Sequence, residues 1–110
     1  MRLKNLTELA DLLRGLDNNS PRRKTGFDMN KSAYCIGGWV QYLNRNTRDL
    51  ELDRAVATIC PPDMSSHEIY NLCYPRGIGN PAWKATPQQA ARAVEILRDT
   101  GVCDWEEAMK

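Results

Sequence analysis

The sequence predicts an all-α fold, a single domain built as a compact bundle of about five short helices. Three observations carry that expectation. Five segments repeat their apolar residues at three- and four-residue steps, the spacing that places them on one buried helical face. Several of those segments open on side chains that cap a helix N-terminus. No segment sustains an alternation of β-branched residues, so strands are expected to be incidental, and no internal repeat divides the chain.

The first helix is expected from about Leu6 to Leu16, because Leu6, Leu9, Leu13 and Leu16 share one face. Asn5 stands in the cap position, with Glu8 at the spacing of a capping box. Residues 17–30 are polar and contain Asn-Asn-Ser-Pro followed by Arg22-Arg23-Lys24. They read as a loop, mobile at its centre, with Phe27 and Met29 pinning its far end to the core.

A second helix is expected from Ser32, turning Ala33, Ile36, Trp39, Val40 and Leu43 inward. Gly37-Gly38 interrupts it, and two interior glycines cost about 1 kcal/mol each relative to alanine. Close approach of a neighbouring backbone is the ordinary reason for such glycines, and a ligand lying on bare backbone is the alternative. The third helix, from about Asp49 to Cys60, buries Leu52, Ala55, Val56 and Ile59, and Pro61-Pro62 stops it. Ser65 and Glu68 stand at capping-box spacing before a fourth helix whose inner face is Ile69, Leu72 and Cys73, and which ends at Tyr74-Pro75.

Residues 76–85 carry Gly77, Gly79 and Pro81 and read as a loop anchored by Trp83. Thr86-Pro87-Gln88-Gln89 combines a threonine cap, proline at the first helical position and glutamine at the third. The helix it opens buries Ala90, Ala93 or Val94, and Leu97, and Gly101 is placed to end it in the left-handed conformation. Asp104 and Glu107 cap one last turn that tucks Trp105 against the body.

At 110 residues with 42% apolar content, the chain suits one hydrophobic core and is short for two. Charged residues make up 26% and balance to +1, so no global field favours nucleic acid, and any electrostatic partner must meet a local patch. The N-terminal leucines are separated by charges, unlike the apolar stretch of a signal peptide. No window approaches the roughly 18 apolar residues of a membrane span. These features predict a protein of the cytoplasm, in which Cys35, Cys60, Cys73 and Cys103 stay reduced. The sequons at Asn5 and Asn18 then carry no meaning.

Three separated pieces resemble a loosely defined family of small uncharacterised bacterial and bacteriophage proteins. They are Cys35-Ile36-Gly37-Gly38-Trp39, then Leu72-Cys73-Tyr74-Pro75, then Trp83 with Thr86-Pro87-Gln88-Gln89-Ala90-Ala91 and Thr100-Gly101-Val102-Cys103-Asp104-Trp105. The resemblance covers roughly residues 32–105. It implies an all-helical fold and a phage or prophage setting, with no activity to carry across. The family usually has a further cysteine just upstream of Cys35, which is missing here, so no metal or redox pair is expected at that corner.

Catalytic chemistry is not expected. Zinc sites use closely spaced Cys, His or carboxylate ligands, whereas these cysteines lie 25, 13 and 30 residues apart on or beside apolar helical faces. His67 and Cys73 fall on different faces of one helix, which leaves a cysteine-dependent enzyme as the remote alternative. The carboxylates near Asp49, Glu51 and Asp53 and at Glu106-Glu107 suit helix first turns, where the helix dipole favours them. Gly77-Ile78-Gly79 lacks the preceding strand and the full spacing of a nucleotide-binding loop, so it reads as a turn.

Two sets of residues are left over as binding candidates. One is the basic run Arg22, Arg23 and Lys24 with Lys31, which is either a solvated loop or a contact to phosphate or an acidic protein surface. The other is Tyr74, Arg76 and Trp83, residue types that anchor protein interfaces, with Trp83 equally suited to cover the core. The leading expectation is a non-enzymatic protein-binding module, one form of which is an inhibitor that masks a host defence component. The alternative is a nucleic-acid or nucleotide binder using loop 22–31. No cofactor, metal or membrane partner is expected.

Overall fold

The computed structural model describes residues 2–18, 25–77 and 79–110. Helix α1 (Leu6–Arg14) buries Leu6, Leu9, Ala10 and Leu13. The Asn5 side chain accepts from the Glu8 N–H at 2.9 Å. The Glu8 carboxylate reaches past Asn5 to the Lys4 N–H at 2.7 Å, so the reciprocal half of the expected box is made one residue earlier. The helix closes at Arg14, short of the expected Leu16, because Gly15 and Leu16 tighten to Leu12 and Leu13 three residues back. Leu16 is buried all the same.

Asp17–Asn18 then pairs in parallel with Gly26–Phe27, and these four residues are the 4% of strand among the described residues, which are 55% helical. The indole N–H of buried Trp39 donates to the Gly26 carbonyl at 2.9 Å and fixes the far strand. Phe27 and Met29 are buried, as expected. The centre of this loop, including Arg22, Arg23 and Lys24, lies outside the described residues.

Helix α2 (Ile36–Leu43) starts four residues later than the spacing predicts, and Ala33 is exposed, not on the inner face. Residues 28–35 form turns, with the Tyr34 and Cys35 N–H groups both donating to the Lys31 carbonyl. Gly38 supplies the reason. A Cβ there would stand 2.7 Å from the Ala33 carbonyl carbon and collide with the Ser32 oxygen, so the turn folds directly onto bare helix backbone. At Gly37 a Cβ would stand 2.6 Å from that of Leu52. Both glycines therefore serve close packing.

The third helix is shorter than expected. Arg45–Thr47 forms a separate 3-10 turn, and α3 spans Leu52–Ala57. Beyond Ala57 the bonds contract to three-residue steps, Thr58 to Ala55, Ile59 to Val56 and Cys60 to Ala57, as the chain approaches Pro61. Ala55, Val56 and Ile59 are buried, while Leu52 is half-buried.

Helix α4 (Ser66–Cys73) buries Ile69, Leu72 and Cys73. The capping box expected from Ser65 and Glu68 is not made. The Ser65 side chain makes no cap bond, and the Glu68 carboxylate accepts from the Cys103 N–H at 2.8 Å, tying α4 to the C-terminal segment. Helix α5 (Pro87–Thr100) forms its box in both directions, Gln89 N–H to Thr86 Oγ1 at 3.1 Å and Thr86 N–H to Gln89 Oε1 at 2.9 Å. It ends at Gly101, left-handed with φ 75°. The small residues Ala90, Ala91 and Ala93 on its buried side let α1 lie along it.

Helix α6 (Trp105–Ala108) is capped by Asp104, whose carboxylate accepts from the Glu107 N–H at 3.0 Å. The Trp105 indole donates to the Asn71 carbonyl at 3.1 Å, which docks α6 on α4. Among the described residues six α-helices thus surround one core, in one domain with a radius of gyration of 12.3 Å. No helix among them is long and apolar enough to cross a membrane.

Candidate functional site

Between α4 and α5, Arg76, Gly77 and residues 79–84 form a ridge with an open groove on either side. Tyr74 caps α4, Pro75 is buried, and the backbone turns out through Gly77 and Gly79 before a 3-10 turn over Pro81–Lys84. Gly77 and Gly79 have φ values of 94° and 76°, and a Cβ at either would meet nothing within 4 Å. Backbone conformation, not crowding, requires glycine there.

Asn80 staples the ridge. Its amide donates to the Arg76 carbonyl at 2.5 Å, and its side-chain oxygen accepts from the Ala82 N–H at 2.9 Å. The Asn80 N–H donates to the Gly77 carbonyl at 3.2 Å, and the Trp83 N–H donates to the Asn80 carbonyl at 3.1 Å. Buried Ala82 and Ala85 hold the inner side. One asparagine thus joins the left-handed turn before it to the helical turn after it. The pairing of Asn80 and Pro81, a cap residue before a proline at the first helical position, is a signal for that turn that the reading of 76–85 as plain loop passed over.

Two open grooves flank the ridge and share Gly79, Asn80 and Pro81. The larger, about 760 Å³, is completed by Asn30, Trp83 and Lys84. The smaller, about 490 Å³, is completed by Arg76, Gly77, Trp105, Glu106 and Met109. Trp83 is half-buried, packed on the core from its inner side while lining the larger groove from its outer one. Asn30 donates its side-chain amide to the Trp83 carbonyl at 3.2 Å. Asn30, at the far end of the basic loop, is thereby brought beside Trp83 and Lys84, with exposed Lys31 next in the chain.

The expected binding residues divide accordingly. Trp83, Arg76 and Lys31 belong to or border this surface, whereas Arg22, Arg23 and Lys24 lie outside the described residues. Tyr74 is placed elsewhere. Its ring packs on Tyr70 with centroids 4.7 Å apart, its hydroxyl interacts with the Leu52 backbone, and it lines neither groove. Burial, together with the charges of Asp53 and Glu51 and the neighbouring Cys73 thiol, raises its pKa. Lys84 joins the surface from the same loop, and Asn30, Trp105 and Met109 join it from segments that no local pattern linked to it.

The Arg76 guanidinium lies 3.2 Å from His67 Nε2, within hydrogen-bond distance. A further groove between α3 and α4, about 460 Å³, includes His67, Tyr70 and Asp53, but Asp53 Oδ1 is sealed from solvent. All four cysteines are free thiols, with Cys35 and Cys73 buried. Burial pushes Cys60 and Cys103 up to about 12, and Cys73 is raised by burial first and then by the other thiols and Asp53. Among the described residues no group of three or more His, Cys, Asp or Glu side chains is gathered to hold a metal ion.

Compared with known proteins, the chain matches no family model, no curated protein and no solved structure.

Proposed function

We propose that this chain is a non-enzymatic protein-binding module of phage or prophage type acting in the bacterial cytoplasm, one form of which is an inhibitor that masks a host defence component. The sequence resemblance supports the phage setting, and the host target is drawn by analogy with small phage accessory proteins that occupy surfaces of host machinery. The binding role rests on one structural observation, the stapled ridge of Arg76, Gly77 and residues 79–84, which has an open groove on either side and half-buried Trp83 lining the larger one.

Tryptophan and arginine carry a large share of binding energy at protein interfaces when they sit in well-packed surroundings. A surface held in shape before binding loses less conformational freedom on association. Trp83, half-buried against the core, supports the first condition, and the Asn80 clamp supports the second, with Arg76 exposed beside them. The raised thiol pKa values support the non-enzymatic part, since a cysteine nucleophile works as the thiolate and needs the opposite shift.

The test is site-specific photocrosslinking in bacterial lysate, with the crosslinker at position 84 and, as control, at exposed position 11 on α1. A discrete protein adduct at 84 and none at 11 is the expected result. Tight association with random DNA, RNA or nucleotides, lost as salt rises, would instead establish the alternative reading of a nucleic-acid binder.

A further inference from the structure

We infer that the ridge receives an acidic segment of its partner, an extended stretch that lays an apolar side chain against Trp83 and Pro81 and brings a carboxylate to Lys84 and Lys31. This rests on the protein-binding reading above and specifies the chemistry of what is bound.

The larger groove has an apolar wall, Trp83 and Pro81, two neutral amides, Asn30 and Asn80, and one cation, Lys84, and none of its lining residues is acidic. Lys31 adds a second exposed cation next to Asn30. Among the described residues neither lysine has an ion-pair partner. The nearby acid in sequence, Asp28, accepts from the Asn30 N–H at 2.9 Å and does not line the groove. A carboxylate arriving there meets Lys84 without displacing an anion from the groove lining, and Lys31 follows Asn30 in the chain just outside that lining.

Across the ridge the balance changes, because Arg76 is accompanied by exposed Glu106. The surface therefore has a direction, with the acidic end of the segment in the larger groove and a neutral or basic end beyond Pro81. This arrangement suits a polypeptide better than a nucleic acid. A nucleic-acid strand repeats its phosphate at every nucleotide and draws affinity from many cation contacts, and one crossing this ridge would run onto Glu106.

The experiment uses the full chain labelled with ¹⁵N and three probes. These are a degenerate octapeptide library alternating Glu or Asp with apolar residues, the same library with Lys for every acid, and an eight-nucleotide oligo-dT. The Trp83 indole N–H resonance, identified with Trp83→Phe, is followed with that of buried Trp39 as internal control.

The acidic library is expected to shift the Trp83 resonance and leave Trp39 in place. Lys31→Glu with Lys84→Glu, both at exposed positions, is expected to weaken that binding at least about tenfold, about 1.4 kcal/mol, with Tm unchanged. Equal shifts from both libraries, or none from the acidic one, overturn the inference. A protein adduct at position 84 with no acidic preference overturns it alone and leaves the protein-binding reading standing. Stronger binding of oligo-dT overturns both.

Discussion

Leu3 and Asn44 hold each other by two reciprocal hydrogen bonds, Leu3 N–H to Asn44 Oδ1 at 2.8 Å and Asn44 Nδ2 to the Leu3 carbonyl at 2.9 Å. An asparagine side chain acts here as a piece of backbone, pairing the chain start with the end of α2. Asn44 and Thr47 are the buried polar residues of the described core, and the Thr47 hydroxyl donates to the Asn44 carbonyl at 2.6 Å. Asn44→Ala strands a buried donor and a buried acceptor, each costing about 1–3 kcal/mol. The variant is expected to lose about 2–4 kcal/mol in urea unfolding, and on the order of 10 °C in Tm.

Gly38→Ala tests the packing account of the glycine pair. The new methyl meets backbone of Ser32 and Ala33, which cannot rotate away as a flexible side chain does. A loss of about 2–3 kcal/mol is expected, at the upper end of ordinary overpacking. Calorimetry showing wild-type stability would mean that the turn before α2 does not lie against Gly38.

The two ends of α5 give smaller, separable effects. Thr86→Ala removes one half of a closed capping box and is expected to cost about 1 kcal/mol. Gly101→Ala puts a side chain on a left-handed residue and is expected to cost about 1–2 kcal/mol. The sites lie at opposite ends of a 14-residue helix, so the double variant should show the sum within about 0.5 kcal/mol in denaturant titration.

The thiols predict a pH dependence with a definite sign. Cys60 and Cys103 titrate near 12 in the fold against an ordinary value of 9.0, because burial disfavours the thiolate. Between those values the unfolded chain releases protons that the fold retains, so stability falls as pH rises from about 9 toward 12. Below that window these thiols add no slope. Urea midpoints at successive pH values should show the fall, and Cys60→Ala with Cys103→Ala should flatten part of it.

Helix faces were legible in the sequence wherever a cap and an apolar stripe agreed, as at Thr86, Gln89 and Leu97. They were misleading where a side chain found a better partner across the fold. Glu68 leaves the Ser65 box for the Cys103 N–H, and Ala33 leaves a continuous apolar stripe because its turn packs on Gly38. Leu3 and Asn44 carried no local signal, since their pairing spans 41 residues. The same limit applies to the surface. Trp83 and Arg76 were visible as residue types in a loop, but Asn30 meets Trp83 across 53 residues, and Trp105 and Met109 reach the surface only after α5 and α6 have folded back. Tyr74, alike in type, is drawn to Tyr70 and α3 by contacts that composition does not encode.

The ridge around Trp83 is proposed as the surface through which this chain binds a protein. The affinity of Trp83→Ala for the protein crosslinked at position 84, measured by calorimetry beside Asp11→Ala at an exposed position of α1, tests this most directly. A loss of about 2 kcal/mol or more is expected for Trp83→Ala, with far-UV circular dichroism retained, and no change for Asp11→Ala. Equal affinities for wild type and a folded Trp83→Ala would contradict it.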